Sequence, residues 1–261
     1  MIPQASIQQG VLADSLRQSI IDGEFAPGSK LSEAMLAARF EVSRNTVREA
    51  FRVLAEQGLI AHIPHRGVSV AAPGIADVID IYRARRTIEC TVLRECTPEH
   101  PAVQRMRDAL EESERRQTEG DWQRVGSANM AFHVAIVDLA DSPRLARTYR
   151  NLAAELRLVF LEIDDPRALH EPFVRRNRLV LEALLGDGPD AAAEALERYL
   201  IQSERLVLGA FARTGAPAAA GSRTSGNTIL GTQHRSEGSL AKDTPRPSGG
   251  SRSPSPTRGS A

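Results

Sequence analysis

The chain has 261 residues, 41% of them hydrophobic and 25% charged, and its 33 basic and 33 acidic side chains leave no formal net charge. That composition belongs to a globular protein with one or two cores, and the charge balance excludes any whole-molecule attraction to nucleic acid, so a DNA-binding surface would have to be local. Cys90 and Cys96 lack metal-type spacing, no apolar run reaches membrane-spanning length, and the start MIPQASIQQG has neither a basic nor an apolar leader segment; a soluble, cytoplasmic protein is expected.

Residues 1–74 read as one unit. Ile7, Val11, Leu12, Leu16 and Ile20 recur at helical spacing until Gly23, Pro27 and Gly28 break the pattern. Ser32 and Ser43 are N-caps for two further helices, and the pairs Leu31/Leu36 and Val42/Val47 are candidate hydrophobic staples across those caps. Only Phe40-Glu41-Val42 separates the two helices, which is room for a tight corner. Gly58 stops the third helix, and LIAHI and GVSVA read as two strands joined by Pro64-His65-Arg66-Gly67. Three helices and a hairpin in this order predict a winged helix-turn-helix.

Residues 75–212 carry six amphipathic patterns, at 76–97, 101–117, 125–140, 143–163, 169–186 and 189–212, with short Pro, Gly or Asp breaks. They predict a mainly antiparallel helical bundle, with Pro143 and Pro189 at first helical positions. Residues 213–261 turn to Gly, Ser, Thr, Pro and Ala and are expected to be a disordered tail. Its basic residues, Arg223 to Arg258, would at most add weak non-specific attraction to DNA. The predicted fold is therefore mainly α.

On the third helix Val47, Ala50, Phe51 and Leu54 share one face, while Arg44, Arg48 and Arg52 line the opposite one with Asn45 and Thr46 beside its start. Arginine bonds guanine bidentately, asparagine reads adenine and the threonine methyl meets thymine, so this face suits the major groove. His65, Arg66 and Gly67 at the hairpin tip would reach backbone or an adjacent minor groove. A charged stripe alone would be a solvated face, with Glu41, Glu49 and Glu56 as available partners; the capped helices, corner and wing together favour DNA.

The stretch PGSKLSEAMLAARFEVSRNTVREAFRVLAEQGLIAHIPHRGVSV resembles the DNA-binding domain of the GntR regulators. The shared signature is PG-x-x-L-x-E, VSR-x-x-VREA, L-x-x-x-GL and RG-x-x-V, and Glu41 stands where that family often has glycine. The resemblance implies operator binding as a homodimer through Arg44, Asn45, Thr46, Arg48 and the wing residues His65 to Gly67.

RARRTIE, FHVAIVDLADSPRL and LVLEALLGDGPDAAAEALERYL resemble the all-helical FCD effector domain of the FadR-type branch, in its six-helix VanR-like form. That resemblance implies a small carboxylate effector in the bundle, in many members held by a metal on one Asp and three His. Position by position the ligands become Asn129, His133, Asn177 and Tyr199, so one imidazole remains and no metal or other cofactor is expected. These four residues with Arg85, and a neighbour such as Arg175 or Arg178, are the candidate effector contacts. His133 and Tyr199 are equally readable as ordinary core residues, and Asp138, Asp141 and His170 as surface or capping residues. No phosphate loop, nucleophile elbow, HExxH or CxxC is present, so an enzyme is not expected. The competing expectation is a ligand-independent dimeric DNA-binding protein with a degenerate pocket.

Overall fold

The computed structural model describes the backbone of residues 4–64 and 67–214 and the side chains of 10–64 and 67–213. His65, Arg66, the side chain of Ile7 and the tail beyond Thr214 lie outside the described residues. The order is α1 (Gln4–Ile21), β1 (Lys30–Leu31), α2 (Glu33–Arg39), α3 (Arg44–Glu56), β2 (Ile60–Ile63), β3 (Gly67–Val70), then α4 (Ile75–Glu95), α5 (Ala102–Glu119), α6 (Trp122–Asp138), α7 (Pro143–Leu161), α8 (Pro166–Gly186) and α9 (Pro189–Thr214). The last helix thus runs past residue 212.

Both serine caps form, with the Met35 amide donating to Ser32 Oγ at 3.3 Å and the Thr46 amide to Ser43 Oγ at 3.1 Å. Each satisfies one of the donors a helix start leaves open. Between them Glu41 takes φ +52°, the left-handed conformation that glycine adopts without strain. The wing hairpin pairs β2 with β3, Ile60 opposite Val70, and the sheet order is β1-β3-β2. β1 is an addition to the expected hairpin, with Lys30 and Leu31 lying opposite Ser69 and Val68. Leu12, Leu16 and Ile20 of α1 are buried as expected, but Val11 is 62% exposed, off the apolar stripe.

The core under α3 gathers Leu16, Leu36, Val47, Phe51, Leu54 and Leu59, and it also takes in Ala154 and Leu158 of α7. A second core fills the bundle between α4 and α9. The start of α6 at Trp122 rather than 125 follows from Asp121, whose side chain accepts from the Arg124 amide at 3.1 Å. Asp165 does the same for α8, accepting from the Ala168 amide at 2.9 Å and moving its start from 169 to Pro166. Among the described residues no helix is long and apolar enough to cross a membrane.

Candidate functional site

α3 buries Val47, Ala50, Phe51 and Leu54, which leaves Arg44, Asn45, Arg48 and Arg52 in solvent along its far side. The Thr46 hydroxyl is 2.9 Å from Ser43 Oγ, so that oxygen is engaged in the cap while the side chain stays half-buried. Arg48 pairs with Glu33 of α2 at 2.9 Å, a partner the sequence reading did not name, and Arg52 pairs with Glu49 at 2.8 Å. Both pairs are exposed, so they are weak and can be exchanged for phosphate or base contacts. Gly67 opens β3 with φ +88°, which suits a tight wing tip.

Inside the bundle, four of the five expected effector residues form one hydrogen-bonded cluster. Asn177 Nδ2 donates to Asn129 Oδ1 at 2.9 Å, the Tyr199 hydroxyl donates to the same oxygen at 2.9 Å, and His133 Nε2 lies 3.1 Å from that hydroxyl. All four side chains are buried. The other imidazole nitrogen, Nδ1, sits 2.6 Å from Glu89 Oε2. Glu89 also accepts from the Tyr149 hydroxyl at 2.5 Å and from Arg85 Nε at 2.8 Å. Arg85, the fifth expected residue, is therefore engaged by an internal carboxylate one turn along its own helix.

Glu89 is fully buried. Burial opposes its ionisation, yet Arg85, His133 and the bonds from His133 and Tyr149 outweigh it and hold the carboxyl at about 2. Arg85 stays cationic, because the attraction of Glu89 and nearby tyrosines overcomes its own desolvation. Burial lowers His133, with Glu89 opposing, and burial raises Tyr199, so the phenol keeps its proton.

Neither Arg175 nor Arg178 reaches this cluster: both are exposed, and Arg178 pairs with Glu114. The neighbouring Arg176 does, its guanidinium 5.9 Å from the Tyr199 ring centre and 6.0 Å from that of Phe173. A helical step of about 100° per residue separates these three directions. His170 is also corrected from surface to core. It is 1% exposed and stacks edge-on against Phe160 at 5.2 Å. Burial, then the adjacent Arg157, lower its pKa to about 3. Gly126 of α6 makes the room, since a Cβ there would lie 2.5 Å from His170 Nε2. Asp141 lies at the surface as expected, 3.1 Å from His100, whereas Asp138 is largely buried and pairs with Arg105 at 3.2 Å.

The metal that the family resemblance implies is not suited to these residues. One imidazole, two amides bonded to each other and a phenol kept neutral by burial are a poor donor set for a divalent ion. Glu89, Tyr149 and Arg176 are the contributors that sequence reasoning missed. Glu89 had a signal, for Val78, Tyr82, Arg85, Glu89 and Leu93 fall on one helical face, and an ion pair on a core face calls for an explanation.

A winged helix-turn-helix joined to a six-helix bundle, with an exposed basic face on α3 and a polar cluster within the bundle, defines a DNA-binding transcriptional regulator with an effector domain. Residues 8–70 match the model of the bacterial regulatory proteins of the gntR family, and residues 80–202 that of the FCD domain. The HTH-type transcriptional repressor RspR of Escherichia coli K12 is 31% identical over 194 residues, covering 71% of this chain and 82% of that one. A D-xylose utilization operon transcriptional repressor of Paenarthrobacter nicotinovorans is 26% identical over 194 residues, covering 72% and 83%. The crystal structure of a GntR transcriptional regulator from Rhodococcus sp. RHA1 superposes with a TM-score of 0.74 at 39% identity, over 77% of this chain and 98% of that one. E. coli McbR/YncC shares the fold at a TM-score of 0.66 and 21% identity, over 80% of this chain and 99% of that one. The chain belongs to the GntR family of transcriptional regulators, with an FCD effector domain.

Proposed function

We propose that the protein is a cytoplasmic repressor that binds a two-fold-symmetric operator as a homodimer and is released by a small carboxylate bound in the bundle without a metal. Arg44, Asn45, Thr46 and Arg48 enter the major groove, and His65, Arg66 and Gly67 follow the backbone or the next minor groove. The observation that carries the effector reading is a set of buried polar atoms without partners around Tyr199. Arg85 Nη2 and Arg176 Nη1 are donors and Asn177 Oδ1 is an acceptor, and none has a hydrogen bond. Two guanidinium donors suit a carboxylate, and a hydroxyl on the same ligand satisfies the amide oxygen. A cleft of about 390 Å³ between α8 and α9, lined by Arg176 and Tyr199, offers the way in.

α7 supplies a path from ligand to DNA. Tyr149 holds Glu89, while the next two residues hold α1: Arg17 donates to the Arg150 carbonyl at 2.7 Å and to Asn151 Oδ1 at 3.2 Å. Arg17 also donates to Gln57 Oε1, at the end of the reading helix, at 2.7 Å. A ligand that shifts α7 changes how the reading head is held, and so operator affinity.

Thermal-shift screening of small carboxylates, followed by calorimetry on wild type and on Arg176→Gln and Tyr199→Phe, tests this. An acid that binds wild type and weakens at least tenfold in both variants is the expected result; binding indifferent to both contradicts it. The mutual bonds among Asn129, His133, Asn177 and Tyr199 favour the second reading, a ligand-independent regulator, and the absence of any stabilising acid would establish it in place of the first.

A further inference from the structure

A larger groove of about 540 Å³, apart from the α8–α9 cleft, lies where α1 meets α5, α6 and α7. Its bed is apolar: Ala128, Ala131 and Val134 of α6 and Ala153 of α7 line it. Its charge is one-sided, with Arg17, Arg116, Arg124, Arg150 and Arg157 facing only Asp22 and Glu112. Three of these arginines already have acids: Arg116 binds Glu112 at 2.7 Å, Arg124 lies 3.5 Å from Asp121 and Arg150 lies 3.5 Å from Asp138.

Arg157 and Arg17 differ from those three. Arg157 is 3% exposed, gives one bond from Nη2 to the Gln123 carbonyl at 3.2 Å, and its Nε has no partner. Arg17 bonds only to neutral oxygens, those of Gln57, Asn151 and Arg150. Among the described residues neither finds a carboxylate within ion-pairing distance. A desolvated guanidinium without a counter-charge is costly, and a fold keeps such a group where an anion completes it. Desolvation lowers the pKa of both and outweighs the more distant carboxylates, Asp22 for Arg157 and Asp14 for Arg17.

We propose that this groove is a second regulatory site, for a small organic dianion with an apolar part, the chemistry shared by a phosphate monoester and a dicarboxylate. The acid group meets Arg157 and Arg17, and the apolar part lies on the α6 and α7 alanines. The site is distinct from the bundle cluster in its residues. Its consequence follows from Arg17, which ties α1 to both the reading helix and α7. An anion that engages Arg17 competes with the bonds to Gln57 and Asn151, and so alters how the reading head is held.

The test is calorimetry on the full chain with phenyl phosphate and phthalate, with sulfate as the bare dianion and benzyl alcohol as the uncharged ring. The proposal expects saturable binding of phenyl phosphate or phthalate at least tenfold tighter than either control. It also expects that binding to fall at least tenfold in Arg17→Gln and in Arg157→Met, and to persist in Tyr199→Phe, which separates this site from the bundle site. Equal binding of benzyl alcohol, loss in Tyr199→Phe alone, or indifference to both arginine variants overturns it. So does a shift from dimer to monomer in Arg124→Glu, which would make the groove a contact between copies. If it is regulatory, saturating phenyl phosphate or phthalate changes wild-type operator affinity at least threefold and leaves Arg17→Gln unchanged; binding without that change refutes the regulatory half.

Discussion

Replacing Glu89 by Gln should be among the most damaging single changes in the bundle, because it leaves the Arg85 charge stranded. The pair is 2.8 Å apart and its side chains are 2% and 0% exposed, so neither water nor salt can take over the role of the lost carboxylate. Removing one partner of such a buried pair costs about 3–5 kcal/mol, most of it the penalty on the charge left behind. For a domain of this size that is a fall in Tm of about 6–20 °C. Adding Arg85→Met to Glu89→Gln removes the stranded charge while the glutamine still serves Tyr149, so the double variant should recover at least about 1–2 kcal/mol. Urea unfolding followed by circular dichroism reads both numbers. A loss below about 1 kcal/mol in Glu89→Gln, or a double variant worse than the single one, would refute the reasoning that the cluster is organised around an ion pair.

Three further outcomes can be checked. His170 has a folded pKa of about 3, below the unfolded value of ~6.5; its stabilisation is complete above that value and is lost as pH falls towards 3, by about 1.4 kcal/mol per pH unit. His170→Gln should therefore flatten the stability profile between about pH 6 and 4 by one proton, and an unchanged slope in denaturant titrations would contradict its burial. Glu41 sits at φ +52°, so Glu41→Gly should raise stability by up to about 1 kcal/mol, the relieved strain being partly offset by unfolded-chain entropy; a loss in the same urea assay would show that the corner tolerates the side chain. Asn129→Asp, Asn177→His and Tyr199→His combined should create a site for one Zn²⁺ per chain, because Glu89 already orients His133 from behind, Nε2 points at Tyr199, and Asn129 bonds both Tyr199 and Asn177. Elemental analysis and a Zn²⁺-dependent rise in Tm measure it, and no bound metal would mean that the four positions do not converge as described.

What was legible in the sequence was whatever chemistry is local. Ser32, Ser43 and Gly58 announce helix ends by satisfying or releasing backbone groups within a few residues, so the helix-turn-helix and the exposed basic face of α3 could be placed from the text of the chain. The alignment of Asn129, His133, Asn177 and Tyr199 came instead from the family resemblance, and the bonds among them were beyond both. β1 was illegible because its two residues become a strand only by pairing with Ser69 and Val68, far along the chain. Arg176 was missed for Arg175 and Arg178 because a single residue of helical phase decides which guanidinium faces Tyr199. His170 was misplaced because its burial depends on Gly126, on another helix. A glycine inside a helix carries a cost of about 1 kcal/mol and so signals a packing reason, and it was the one clue available.

The central claim is that α3 reads DNA, and one measurement addresses it. The purified protein is used to select duplexes from a random library, and the enriched site is then titrated by fluorescence anisotropy, at one fixed salt concentration, with wild type, Arg44→Ala and Arg48→Ala. The account predicts a two-fold-symmetric site and a loss of about 1–3 kcal/mol in at least one variant, with relaxed base preference at the position that arginine reads. An enriched site that both variants bind within twofold of wild type would contradict it.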